Sequence, residues 1–296
     1  MLSHKRRNNR KKHRRTRRKR RSQGGAATKE AVIFIINNNA GFASVFNFLC
    51  KIYIYAQKTG KDFFIDYSDN WTYKYKNGWH DYFKTLKVYD PSAHYANIEK
   101  YSHAQTSKVP DYTLGEYTAC IKEILVLNDD LSKRVQEYIG SIGGPYKAVY
   151  VRRGDKTSGH AKENDPIPVA DIMKITDISK EDKVFIQTDD YSVIEEIKGL
   201  LPAENIFTLT PQASRGAHAE NIYALSPEKR KEHAEELFMS FFVFAGATRG
   251  WTDNRSNMGR LHKLYSPDKV ILYPIDPKSQ NISSETKIDP GWRSLP

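Results

Sequence analysis

The sequence predicts an α/β protein made of two parallel-sheet halves. Short β-branched and apolar runs alternate with longer stretches of helical period, turn residues separate them, and the alternation begins afresh after Gly143-Gly144-Pro145. A cleft between two such halves is the natural place for a ligand.

Each element has its own justification. Ala31 to Ile36 is an uninterrupted apolar run and reads as the first strand. Asn37-Asn38-Asn39-Ala40-Gly41 then supplies small residues that tolerate positive φ and expose backbone N–H groups. The segment from Phe42 to Thr59 has apolar residues at helical spacing and ends at Gly60. Phe63 to Ile65 is a second strand. Residues 69–83, rich in aromatic and polar groups, have no clear period and read as a loop with buried aromatics or as part of a binding surface. Residues 84–112 read as irregular. Helices follow over Leu114–Val126 and Leu131–Ile139, then a strand at Ala148–Val151, a short helix from Pro168, a strand at Lys183–Gln187 and its helix over Tyr191–Leu200. Ile206–Leu209 is a further strand, His233–Ala245 a long apolar helix, Thr248–Met258 a loop, and Val270–Tyr273 the last strand. These elements divide the chain into a disordered basic tail (1–27), an N-terminal α/β half (28–145), a C-terminal half (146–275) and an extended tail (276–296).

Composition narrows the function. The 296 residues are 39% hydrophobic and 12% aromatic, enough for a substantial core. The net charge of +12 is local: residues 1–22 hold 13 of the 47 lysines and arginines and no acid, which leaves 34 basic against 35 acidic residues in the remainder. Such a block of like charge cannot fold alone and suits a polyanion. It interleaves no aromatics, so it lacks base-stacking platforms. Two cysteines, Cys50 and Cys120, argue against a disulfide framework. No apolar run approaches a membrane span, and the expected location is cytoplasmic, with nuclear or viral association through residues 5–21 as an extension.

The chemistry concentrates where strands end. Val149-Tyr150-Val151 runs directly into Arg152-Arg153-Gly154-Asp155-Lys156. In an open α/β sheet ligands sit beyond the carboxyl ends of the strands. Two guanidiniums there fit a diphosphate, whose oxygens they meet bidentately and whose charge they neutralise without a metal; the same residues also suit a surface ion-pair cluster. Thr188-Asp189-Asp190 and Arg255-Ser256-Asn257 end two further segments in the same way. The aspartates suit helix capping as well as ligand contact, and Ser256-Asn257 suits a turn equally.

At these residues the chain resembles the α1,6-fucosyltransferases, the core N-glycan and nodulation enzymes. Val151-Arg152-Arg153-Gly154-Asp155-Lys156 is similar to their arginine-pair motif, Phe185 to Ser192 to their strand-TDDPS segment, and Ser256 to Arg260 to their third motif. Gly41-Phe42-Ala43 resembles the donor loop, and Asn70-Trp71-Thr72-Tyr73 with Gly78-Trp79 the NWRY and GGW stretch. The likeness runs in family order from about Val32 to Tyr273. It implies a GT-B-like fold, two Rossmann-like domains facing a central cleft, and inverting, metal-independent transfer of fucose from GDP-fucose to an oligosaccharide or glycoprotein. By the same resemblance Arg152 binds the donor phosphate with Arg153 in support. Gly41, Phe42, Tyr73, Asp190, Ser256 and Asn257 complete the donor side. Glu163 is the base, with Lys156 and Asp155 beside it, and the guanine-reading acid falls at Glu235 or Glu236. This chain departs from the family pattern at Tyr150, where a histidine is usual, at Ala43 in place of a loop glycine, and by three extra residues between Lys156 and Glu163. The last departure leaves His160 and Asp165 as alternative bases.

Other readings stay open at this stage. They are a protein O-fucosyltransferase-like or other GDP-sugar transferase, a nucleic-acid-associated protein acting through its tail, and a glycan-binding non-enzyme. Trp71, Tyr73, Trp79 and Tyr82 suit stacking on acceptor sugars, though aromatics at this density more often pack a core.

Overall fold

A computed structural model describes residues 29–37, 40–67, 71–154, 157, 162, 165–216, 222–273 and 283–288. The first half is a four-stranded parallel sheet in the order β3-β2-β1-β4, formed by β1 (Ala31–Ile36), β2 (Asp62–Tyr67), β3 (Lys87–Val88) and β4 (Ile98–Ser102). Strand β1 lies at its centre with every residue buried or nearly so, as a strand covered on both faces requires. Helix α1 (Phe42–Thr59) returns the chain, and it stops where Gly60 takes the left-handed conformation, φ 68°, that a Cβ would penalise. The short β5 (Tyr112–Thr113), α2 (Leu114–Ile124) and α3 (Asp129–Ile142) lead to the second half.

That half is a five-stranded parallel sheet in the order β10-β9-β6-β7-β8. Its strands are β6 (Lys147–Val151), β7 (Val184–Thr188), β8 (Ile206–Phe207), β9 (Arg249–Asp253) and β10 (Val270–Tyr273). Helices α4 (Val169–Ile175), α5 (Ser192–Lys198), α6 (Pro227–Gly246) and α7 (Asn257–Tyr265) connect them. In both sheets the chain works outward from a central strand to one side and then crosses to the other. The order therefore reverses between β1 and β4 and again between β6 and β9, the two places where a doubly wound sheet opens a crevice.

Two segments differ most from the sequence reading. Residues 98–102 form an edge strand, β4, inside the stretch expected to be irregular; the polar sequence Ile-Glu-Lys-Tyr-Ser reflects its half-buried edge position. Residues 249–253, expected in a loop, form β9, next to the centre of the second sheet. Arg249 is exposed at its start and Asp253 buried at its end, and only Gly-Trp-Thr lies between, so no apolar run announces it.

The halves share a core. One apolar cluster takes in α1, the aromatic loop at 71–83, α2, α3, α6 and α7, and α7 packs on α1 and α2. Residues 283–288 also return to the first half, where β11 (Lys287–Ile288) pairs antiparallel with β5 and buries Ile288. No helix among the described residues is long and apolar enough to cross a membrane.

Candidate functional site

The second sheet delivers its charges to one edge by register. Val151 of β6 pairs with Thr188 of β7, so the next residues, Arg152 and Asp189, leave the sheet side by side. Arg152 Nη1 donates to Asp189 Oδ2 at 2.7 Å, and the Arg153 backbone N–H donates to the other oxygen at 2.8 Å. Asp189 is thus the clamp that fixes the arginine turn. Arg153 points away: its Nη1 donates to the Ile167 carbonyl at 3.1 Å and its Nη2 lies 3.6 Å from Glu196. Arg152, its side chain about 20% exposed, acts on the phenols of Tyr73 in the first half and Tyr150 in the second. Asp190 closes the turn into α5 by accepting the Ser192 N–H at 2.9 Å.

Strand β9 supplies the facing loop. The Arg255 backbone N–H and Nε donate to Asp253 Oδ1 at 2.9 and 3.0 Å, and its Nη2 donates to Oδ2 at 2.8 Å. Its Nη1 also reaches the Asp165 carbonyl at 3.1 Å, tying this loop to the segment that follows the arginine turn. The Asp253 carboxylate holds the Arg255 guanidinium above its ordinary pKa. Asn257 accepts from Arg260 Nη2 at 2.6 Å. Helix α7 can start this close to β9 only because residue 259 is glycine, since a Cβ there would lie 2.1 Å from the Asp253 carbonyl oxygen and 2.4 Å from Thr252 Oγ1.

Helix starts separate the cleft from the rest of the molecule. Among the described residues five helices have eight residues or more. Three of them, α2, α3 and α6, begin with a side chain that caps them (Thr113, Asn128, Ser226) and carry an acid in the first turn. The other two, α1 and α7, have neither a side-chain cap nor an acid there. These are the helices that follow β1 and β9 at the two crevices. At α7 open amides and a positive dipole end, left without an internal anion, are what an external anion needs, whereas the first amide of α1 is taken by the Tyr73 hydroxyl.

The first half contributes shape. Phe42 is buried, its ring 4.6 Å from Phe238 and 5.3 Å from Phe46, and its backbone N–H donates to the Tyr73 hydroxyl at 3.2 Å. Trp71, Tyr73, Trp79 and Tyr82 are all buried, so they pack the core and have no face to offer an acceptor sugar. Tyr73 nevertheless borders the site: burial raises its phenol, and the Phe42 N–H and the Arg152 guanidinium of the other half pull it back. Helix α6 joins the halves, since Phe238 sits within 5.0 Å of Tyr82 and 4.8 Å of Phe83.

Helix α6 also brings His233, which the sequence reading did not single out, together with Glu235 and Glu236, which the resemblance named. His233 is held below its ordinary pKa by burial, with the Asp189 carboxylate opposing and Arg152 reinforcing the shift, which sets it beside the clamp. Glu235 is spoken for, since it accepts from Arg134 Nη1 at 3.0 Å and pairs with Lys231. Glu236, one turn beyond His233, has no ion pair among the described residues, and burial pushes its carboxyl up to about 8. Glu163, Lys156, Asp155 and His160 lie outside the described residues. Asp165 is exposed and bound to Lys162 at 2.6 Å, which holds its carboxyl low and makes it a poor base.

Two doubly wound parallel sheets joined through a common core define a GT-B-like fold. The solved structures to which it is similar include NodZ α-1,6-fucosyltransferase soaked with GDP-fucose, at 16% identity and a TM-score of 0.56, over 87% of this chain and 98% of that one. Fucosyltransferase NodZ from Bradyrhizobium aligns at 15% identity and a TM-score of 0.53, over 82% and 95% of the two chains. POFUT1 in complex with GDP aligns at 9% identity and 0.53, over 84% and 99%. No protein-family model and no curated protein matches the sequence. At these identities the likeness establishes the fold.

Proposed function

We propose that this protein transfers fucose from GDP-fucose to a glycan acceptor. The observation that carries the reading is that the Asp189-clamped Arg152 acts on both Tyr73, which holds the start of α1, and Tyr150, which touches Ser256 at the uncapped start of α7. Solved proteins of this fold have been crystallised with GDP or GDP-fucose. Arg152 neutralises charge on the departing diphosphate, and the helix amides bind its oxygens in a site of low dielectric. Because Arg152 stays charged at any working pH, the leaving group needs no metal. Glu236 reads the guanine edge, since a carboxylate with no internal partner gains most from the paired N–H donors of that base. Glu163 takes the proton of the acceptor hydroxyl as fucose inverts, with Lys156 and Asp155 in support. Arg153, Asp190 and Asn257 hold the loops, while Gly41, Phe42 and Tyr73 form the wall. Residues 5–21 give the enzyme a separate hold on a polyanion.

The test is calorimetric titration of GDP and GDP-fucose in EDTA, with ADP and UDP as controls, on the wild type and Arg152→Ala. The expected result is guanine-selective binding that weakens roughly 10- to 100-fold in the variant, the worth of a charged hydrogen bond. No nucleotide binding by the wild type sinks the reading. Transfer assays with a chitooligosaccharide and with a folded protein acceptor then separate a glycan-directed enzyme from a protein O-fucosyltransferase.

A further inference from the structure

Ser256 occupies the position from which a serine ordinarily caps a helix, yet its hydroxyl is turned elsewhere. Its backbone is extended, φ −99° and ψ 136°, as a capping residue's is, but no cap forms. Ser226, in the same position on α6, does accept its helix amide, from Lys229 at 3.3 Å. Ser256 Oγ lies instead 3.1 Å from the Tyr150 hydroxyl.

Tyr150 is built to hold that contact. It is 5% exposed, its backbone carbonyl accepts from the Tyr273 hydroxyl, and its ring lies 5.8 Å from that of His262. Burial raises its phenol well above the ordinary value, with the Arg152 guanidinium opposing, so the hydroxyl keeps its proton at any working pH. An anion entering the start of a capped helix must first displace the cap. Here the competing hydroxyl is tied back by a neighbouring strand.

We propose that Tyr150 is a positioning residue that holds Ser256 off its own helix. The amides at Met258 and Gly259 then stay open to the donor's diphosphate. The inference rests on the GDP-sugar reading of the cleft. It assigns a task to the tyrosine that stands where the resemblance has histidine.

The test is Tyr150→Phe, which keeps the ring and removes the hydroxyl. Ser256 then falls back onto its helix. GDP affinity drops roughly fivefold, in line with the loss of a modest hydrogen bond, and hydrogen exchange at Met258 and Gly259 in the ligand-free protein slows. Adding Ser256→Ala to Tyr150→Phe returns that exchange to the wild-type rate. A purely structural loss would speed exchange at the same amides, and that result overturns the proposal, as does a Tyr150→Phe protein unchanged in both readouts. A wild type that binds no GDP overturns the reading of the cleft, while the exchange comparison still decides the orientation of Ser256.

Discussion

The two sheets share a strand order and differ in what they place at their crevices. Beyond β1 the chain enters an aromatic stack in which Phe42 lies in ring contact with Trp79, Phe83 and Phe238, and Phe83 with Trp79 and Phe238. Beyond β6, β7 and β9 it enters ion pairs, Arg152 with Asp189 and Arg255 with Asp253. One edge is fixed by apolar burial and the other by charge. A donor held between them would meet a rigid wall on one side and an electrostatic clamp on the other. This division keeps the cost of orienting the arginines out of the binding step, because Asp189 and Asp253 have already met it in folding.

The comparison can be broken most forcefully at Phe238, which belongs to the second half by sequence and to the first half's stack by contact. Phe238→Ala is expected to lower stability by about 3–5 kcal/mol, the usual result of emptying an aromatic site in a core. Denaturant unfolding followed by tryptophan fluorescence measures this. Trp71 and Trp79 report the first half and Trp251 the second, so single-tryptophan backgrounds show whether both halves fall together. If only one does, the halves are not a shared structure. Next in size is Gly259→Ala, expected to cost about 1–3 kcal/mol by forcing α7 away from β9. Because the displaced helix start is also the proposed anion site, GDP affinity should fall with stability here and stay near wild type in a refolded Phe238→Ala protein. Equal losses of affinity in both variants would erase the distinction between wall and clamp.

How much of this was legible in the sequence follows the same division. Strand β1 and helix α1 were readable to the residue, because a six-residue apolar run and a helical period ending in glycine are local signals. Strand β9 was not. It is buried by its neighbours on both sides, and its sequence, Arg-Gly-Trp-Thr-Asp, carries charges at both ends and a glycine that a Phe244 ring contact explains only in three dimensions. At the site, the arginine pair stood out because charge rarely follows a buried strand without cause. The clamp by Asp189 did not, because it depends on the pairing of Val151 with Thr188, a fact of register. Asp189 and Asp190 look alike in the sequence, yet one holds an arginine and the other closes a tight turn ahead of a helix. The link between Tyr150 and Ser256 spans 106 residues and has no local signature.

The smallest effect, and the one that sharpens the charged side, concerns Glu236. Its carboxyl titrates at about 8 in the folded protein against an ordinary value of 4.5, with burial as the cause. The folded state therefore binds this proton more tightly than the unfolded chain does. The stability linked to it is complete below the unfolded value and declines as pH rises toward 8. Glu236→Gln should flatten that decline, as measured by unfolding at a series of pH values. In the proposed contact guanine reverses the preference, because its N–H donors favour the ionised carboxylate. GDP binding near pH 7 should accordingly release a proton, seen in calorimetry as a heat that varies with the ionisation enthalpy of the buffer, and affinity should rise by up to about tenfold per pH unit below pH 8. Glu236→Gln should abolish the buffer dependence while Arg152 keeps its hold on the diphosphate. Binding of GDP with no proton released at pH 7 would remove Glu236 from the base-reading role and leave the clamp on the phosphates as the whole of the charged edge's contribution.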